Sequence, residues 1–260
     1  MTRIIVTGIG GRMGSRIADI IRETPGLTLA GATEAPNSFA IGTTLPEGQS
    51  VVDDLSKNIA HGDVVIDFTS PKATLHHAEI AAQAKKALVV GTTGFSEDEK
   101  RKLMAYLKTM PSVFSSNMSI GMNVLFKIAA EAARHLGEDY DIEIFEAHHR
   151  LKKDAPSGSA LTLAEEIATA VGRKLSDVAR YERHGQIGER KPREIGVQTL
   201  RGGDIVGDHT VYFAGAGERL ELTHRATSRD NFARGAILAA KWLQGKAPGV
   251  YNMADVLGLS

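Results

Sequence analysis

The chain has no cysteine among its 260 residues. That absence excludes disulfides, thiolate nucleophiles and any metal centre built on sulfur. Net charge is also missing, because 31 Lys and Arg balance 31 Asp and Glu. No global field therefore draws the protein to nucleic acid or to a membrane surface. No stretch approaches the roughly 18 apolar residues that a membrane span needs. Met1 leads directly into a strand-like run, without the basic and then apolar segments of a secretory signal. A soluble cytoplasmic protein, with neither nucleic acid nor membrane as partner, is the expectation. The length suits one large domain or two modest ones, and no internal repeat or low-complexity tract interrupts it.

Glycine marks the first informative segment, RIIVTGIGGRMGSRIADIIRE (3–23). Ile4, Ile5 and Val6 form a short run suited to a buried parallel strand. Gly8, Gly10, Gly11 and Gly14 follow, and Met13, Ile17, Ile20 and Ile21 then recur at helical spacing. Strand, glycine turn and helix in this order let backbone amides and a positive helix end approach a pyrophosphate. The spacing that fits is Gly8-x-x-Gly11-x-x-Gly14; counted as G-x-G-x-x-G from Gly8, the third glycine falls on Met13. A plain tight turn is the competing reading. A second strand, LTLAGATE (27–34), ends in Glu34, where a carboxylate binds an adenosine ribose and repels a 2′-phosphate. That favours NAD over NADP, although Arg12 offsets part of the repulsion. A surface glutamate is the alternative.

The strand–helix unit repeats. Residues 63–68 form a strand, after which Ser70 caps a helix and Pro71 takes its first position. Strand 87–90 runs into Gly91-Thr92-Thr93-Gly94, and Ser96 with Glu99 forms a capping box. SVFSSNMSIG (112–121) adds a short strand and a polar turn. The alternation predicts an α/β fold with a Rossmann-like, doubly wound parallel sheet. Ligands in such sheets sit beyond the carboxyl ends of the strands, where the turns at 8–13, 68–71, 91–94 and 115–118 fall. His76 and His77 lie within a helical pattern and read as helix surface.

The second half has another texture. A long amphipathic helix (121–136) precedes an alternating strand (139–149), and 195–226 suggests several antiparallel strands, two of them joined by a Gly-Ala-Gly turn. Residues 173–194 are polar and read as loop. A helix over 228–243 returns to the first domain. The expected organisation is a dinucleotide-binding domain of residues 1–119 and 229–260. An α+β domain of residues 120–228, with a mixed or antiparallel sheet, makes up the rest.

EAHHRLKKDAPSGSAL (146–161) concentrates cations in a chain without net charge. It starts at a strand end and finishes at a helix N-terminus, with Ser157 as cap and Gly158 and Ser159 beside the positive helix end. A histidine and a lysine held together can share acid–base work on an anion. A surface hairpin is the bland alternative. No metal is expected, because adjacent histidines in a strand point to opposite faces.

Four segments carry a resemblance: GIGGRMG (8–14), VVGTTGFS (89–96), EAHHRLKKDAPSGSA (146–160) and RGGDIVGDHTVYF (201–213). Together they span most of the chain, which resembles the 4-hydroxy-tetrahydrodipicolinate reductase (dihydrodipicolinate reductase) family. The third segment is the most specific. The resemblance implies reduction of a cyclic imine dicarboxylate by NADH or NADPH, on the route to diaminopimelate and lysine. It implies His148 as proton donor or acceptor, Lys152 as proton donor, His149 as a substrate ligand, and Gly158 and Ser159 at a substrate carboxylate. Gly8, Ile9, Gly10, Gly11, Arg12, Met13, Glu34, Gly91, Thr92, Thr93, Ser115, Ser116, Asn117 and Met118 would line the cofactor. The resemblance also implies that residues 120–228 carry substrate binding and oligomerisation and assemble a homotetramer. The two domains would close on substrate and cofactor about hinges near 117–120 and 227–230. Ser159 stands where the family usually has threonine and keeps the hydroxyl. Ala35 stands where some members have arginine, which tilts preference toward NADH. Rival readings are a reductase of a different imine dicarboxylate and a non-catalytic dinucleotide sensor. Semialdehyde enzymes that pass through a thioester need the missing cysteine.

Overall fold

Buried β-branched runs and the helix caps between them account for the order of elements. The computed structural model describes residues 1–259. Its first part runs β1 (Thr2–Thr7), α1 (Arg12–Glu23), β2 (Leu27–Thr33), β3 (Val64–Asp67), α2 (Pro71–Gln83), β4 (Ala87–Val90), α3 (Glu97–Leu107) and β5 (Pro111–Phe114). Next come α4 (Ile120–Leu136), β6 (Asp141–His148), α5 (Gly158–Ala170), α6 (Leu175–Val178), β7 (Ala179–Arg180), β8 (Ile195–Arg201), β9 (Gly207–Gly215) and β10 (Glu218–Ala226). The chain ends in α7 (Asp230–Trp242), β11 (Gly249–Tyr251) and α8 (Met253–Leu257).

The chain divides into two compact units, one of Met1–Ile120 with the segment from Arg229 onward, the other of Gly121–Ser228. In the first, the described strands form one parallel sheet in the order β2-β1-β3-β4-β5-β11. Ile4, Ile5, Val6, Val64, Val65, Ile66, Leu88, Val89 and Val90 are fully buried. Each such side chain contributes roughly 1.5–3 kcal/mol by leaving water, so continuous apolar runs settle in the sheet centre rather than at its edge. Ser70 caps α2 with Pro71 following it, and Ser96 and Glu99 form the capping box of α3. Helix α7 adds Ala233, Ala236, Ile237, Ala239 and Ala240 to the core of Ile4, Ile17 and Val89. Gly235 is required there, since a Cβ would lie 1.7 Å from the Met118 carbonyl oxygen.

In the second unit β10-β9-β6-β8-β7 form a mixed sheet. β6 pairs antiparallel with β9 and parallel with β8, a parallel pairing outside the antiparallel pattern of 195–226. β9 and β10 form a hairpin whose tight turn holds Gly217 at φ +84°. One face of this sheet presents Ile142, Ile144, Val197, Val211 and Phe213 to a core that includes Phe126 of α4 and Leu163 and Ile167 of α5. The stretch 173–194, expected to be loop, contains α6 and β7.

Candidate functional site

In the first unit, the sheet reverses its winding at β1, which lies between β2 and β3. This switch point is where ligands of doubly wound sheets sit. Gly8 leaves β1 in the left-handed region, φ +67°, and the Gly11 amide donates to the Gly8 carbonyl at 3.0 Å. A Cβ on Gly14 would meet that same oxygen at 2.0 Å. Gly11 caps α1 without a side chain, and the first turn of the helix carries no acid. The exposed Gly10 and Arg12 and the half-buried Ile9 and Met13 complete the turn. Glu34, just past β2, accepts from the Gly10 amide at 2.7 Å through Oε2 and from the Ala35 amide at 2.8 Å through Oε1. This cradle fits a dinucleotide: a close backbone approach, a helix N-terminus without a side-chain cap, and a carboxylate held beside the glycines.

The turn after β4 is held from below. Asp67, fully buried at the end of β3, accepts through Oδ1 from the Thr69 amide at 2.9 Å and from the hydroxyls of Thr69, Thr74 and Thr92. His77 Nδ1 lies 2.7 Å from its Oδ2. Burial pushes the Asp67 carboxyl upward, but the bond and charge of His77 and the Thr69 donors outweigh it and leave the group below its usual range. Thr92 is therefore occupied with Asp67, while Gly91 cannot bear a Cβ because the Phe68 ring is 2.2 Å away. Thr93 and Ser116 are exposed, and Ser115 and Asn117 are half-buried. Met118 differs from its expected place along the cofactor: it is 2 % exposed and its side chain packs in the core. The histidine pair also departs from expectation. His76 is exposed beside Asp54, but His77 is mostly buried on Asp67.

The second unit gathers a different cluster. Alternate residues of a strand share a face, so Glu146 and His148 continue the row begun by Ile142 and Ile144. The register sets Thr199 and His209 opposite Glu146, and Arg201 opposite His148. Along β6, the face that is apolar at one end becomes titratable at the other. Glu146 is fully buried. Its Oε2 accepts from His148 Nδ1 at 2.5 Å and Arg201 Nη1 at 2.9 Å. Its Oε1 accepts from Arg201 Nη2 at 2.8 Å, the Ser157 amide at 3.0 Å and Thr199 Oγ1 at 3.2 Å. Burial alone would raise the Glu146 carboxyl, but the donors from His148, Arg201 and Ser157 overcome it and hold it down to about 2.

His209 packs edge-on against His148, with ring centroids 5.2 Å apart. Burial first, and the nearby His148 second, bring it down to about 3, so it is neutral. Ser157 caps α5 by accepting from the Ala160 amide at 3.1 Å, and its hydroxyl lies 3.2 Å from His209 Nε2. Gly158 is exposed and Ser159 half-buried at the opening of that helix. His149 begins the turn after β6, and the Lys152 amide donates back to the His149 carbonyl at 3.1 Å. Lys152 Nζ lies 2.9 Å from Asp154 Oδ1, with 21 % of its side chain exposed. The ammonium is thus neither in the core nor fully in solvent.

The structure therefore joins His148, the Ser157 turn and the opening of α5 through one carboxylate. It adds Glu146, Arg201 and His209, which sequence reasoning did not single out. The signal for Glu146 was its position two residues before His148 on a strand; Arg201 and His209 needed the cross-strand register. Among the described residues no three His, Asp or Glu side chains gather as a metal site, and no helix is long and apolar enough to cross a membrane.

A parallel sheet with a glycine turn at its switch point, together with a second unit carrying a buried carboxylate–imidazole–guanidinium cluster, defines a nucleotide-dependent oxidoreductase with a Rossmann-type unit. Residues 2–118 match the family model "Dihydrodipicolinate reductase, N-terminus", and residues 121–257 match "Dihydrodipicolinate reductase, C-terminus". A 4-hydroxy-tetrahydrodipicolinate reductase of Anaeromyxobacter dehalogenans is 56% identical, covering 100% of this chain and 98% of the relative. That of Desulfotalea psychrophila is 54% identical, covering 100% and 99%. A dipicolinate-bound dihydrodipicolinate reductase from Paenisporosarcina sp. TG-14 shares the fold, with a TM-score of 0.77 at 22% identity, covering 98% of each chain. The chain belongs to the dihydrodipicolinate reductase family.

Proposed function

We propose that the protein reduces 4-hydroxy-tetrahydrodipicolinate to tetrahydrodipicolinate with NAD(P)H on the route to diaminopimelate and lysine. Substrate, NAD(P)H and one proton give product, NAD(P)⁺ and water. The observation that carries this reading is Glu146 holding both His148 and the Ser157-capped opening of α5, with Lys152 in the turn between them, set in a chain related to these reductases from end to end.

In this reading the cradle of Gly8, Ile9, Gly10, Gly11, Arg12 and Met13 holds the cofactor pyrophosphate, and Glu34 exchanges its amide partners for a ribose. Gly91, Thr93, Ser115, Ser116 and Asn117 line the rest of the nucleotide path, with Thr92 supporting them from within. The bound nicotinamide supplies a hydride. His149, Gly158 and Ser159 bind the substrate, the helix opening holding a carboxylate through its backbone amides and partial positive charge. Loss of the 4-hydroxyl with a proton from the adjacent ring carbon, as water, leaves a conjugated imine; the Lys152 ammonium then stabilises the negative charge that hydride addition leaves on it and delivers the proton. His148 assists as proton donor or acceptor. The Glu34 carboxylate disfavours a 2′-phosphate, so NADH is the preferred cofactor. The site works in a cytoplasmic homotetramer.

The test is NADH absorbance with the imine generated in situ. Lys152→Ala is expected to lower kcat by about 10² to 10⁴, the usual weight of a general acid, while the NADH dissociation constant changes by less than about twofold. Equal loss of both would remove Lys152 from its role. Parallel titration with NADH and NADPH is expected to give the lower KM for NADH.

A further inference from the structure

We propose that Glu146, backed by Arg201, is the positioning residue of this site: one buried carboxylate fixes which nitrogen of His148 exchanges protons and clamps the turn that opens α5. The inference rests on the reading that His148 serves the reaction.

An ionised carboxylate has no hydrogen and can only accept. Glu146 accepts from both terminal nitrogens of Arg201, from the Ser157 amide and from Thr199, so a proton on its own oxygen would oppose a donor. The hydrogen on the 2.5 Å contact with His148 is therefore on Nδ1. Nε2 is left as the nitrogen that takes up and releases a proton. Gly207 keeps space for it, since a Cβ there would lie 3.0 Å from Nε2.

The same carboxylate has a second task. Oε1 holds the Ser157 amide, and Ser157 is the cap of α5. Arg201 Nη2 also donates to the Asp154 carbonyl at 2.6 Å, so the turn between Lys152 and the helix is fastened at two places. A change at Glu146 must disturb the imidazole and the opening of the helix together. The charged and titratable groups around this pocket are Glu146 on β6, Arg201 on β8, His209 and Asp208 on β9, His224 on β10, and Lys152 and Asp154 in the turn. His209 is buried and neutral, so the ionisable groups that hydrogen-bond the Glu146 carboxylate are His148 and Arg201. Removing that charge takes away the acceptor of the Nδ1 proton and the attraction it exerts on a protonated imidazole.

The test uses the full chain. Glu146→Gln is expected to lower kcat about 30- to 100-fold, to raise KM for the imine several-fold, to move the acidic limb of the kcat/KM profile to lower pH, and to leave the NADH dissociation constant within about twofold. Arg201→Lys, which keeps the charge but loses the two-pronged contact, is expected to fall between wild type and Glu146→Gln. Nitrogen NMR of the wild-type protein, which does not depend on a variant folding, is expected to show the neutral His148 proton on Nδ1. A proton on Nε2, or a Glu146→Gln enzyme with kcat within about twofold and an unmoved pH profile, overturns the proposal. His148→Gln separates the two levels: full activity there defeats the functional reading, whereas an inactive His148→Gln beside an unaffected Glu146→Gln defeats only the positioning role.

Discussion

Gly14 sits where a single carbon decides the shape of the nucleotide cradle. Its missing Cβ would overlap the Gly8 carbonyl oxygen at 2.0 Å and the Gly8 carbonyl carbon at 2.7 Å. Both are backbone atoms and cannot swing aside as a flexible side chain would. Gly14→Ala is expected to push α1 away from β1, costing about 1–3 kcal/mol as overpacking does and weakening NADH binding at least tenfold. Thermal unfolding and a fluorescence titration with NADH check the two effects separately. Unchanged NADH affinity in a folded variant would show that the turn does not shape the nucleotide site.

Elements are ordered by networks as well as by caps. The carboxyl ends of β3 and β4 are joined to α2 through Asp67, which gathers Thr69, Thr74, Thr92 and His77. His77→Ala removes one partner from a fully buried carboxylate, and such losses cost about 3 kcal/mol. Urea unfolding should show that loss in the single variant and a smaller loss when Asp67→Asn is added, because the buried charge is then gone. The doubly wound sheet was legible because each central strand carries a short unbroken apolar run followed by glycine or a cap. Gly8, Gly11 and Gly14 were legible as a spaced set, and they do touch through the Gly8 carbonyl. β11 was not legible: three residues at a sheet edge carry no period, and their place comes from pairing with β5 and from Tyr251 packing on Trp242. Glu146 and His77 were obscured for a related reason. A lone acid or imidazole reads as solvent-facing until the partner that permits its burial is known, and here the partners lie 55 residues away in Arg201 and ten away in Asp67.

Acid response belongs to the whole molecule. His209 is held at about 3, below the ordinary histidine value of about 6.5. The unfolded chain then binds a proton that the folded chain refuses, so stability falls as pH drops from about 6.5 toward 3. Glu146 and Asp67, both depressed, add losses in the same direction once pH falls below about 4.5. Melting temperature against pH is expected to decline in two stages, and His209→Gln to flatten the first while sparing the second. The core of residues 121–228 draws on that segment alone, from Met122 to Phe213, whereas the first unit needs α7. Expressed separately, 121–228 is expected to melt cooperatively by circular dichroism, and 1–120 to lack a cooperative transition.

That interruption of the first unit has a consequence for the protein's birth on the ribosome. Domains usually mature in the order they are translated. Here the amino-terminal sheet waits for α7 to leave the exit tunnel, while the internal segment already has all of its strands. The internal unit is thus expected to mature first, while the sheet of the first unit lacks the helix that packs on Ile4, Ile17 and Val89 until α7 has been made.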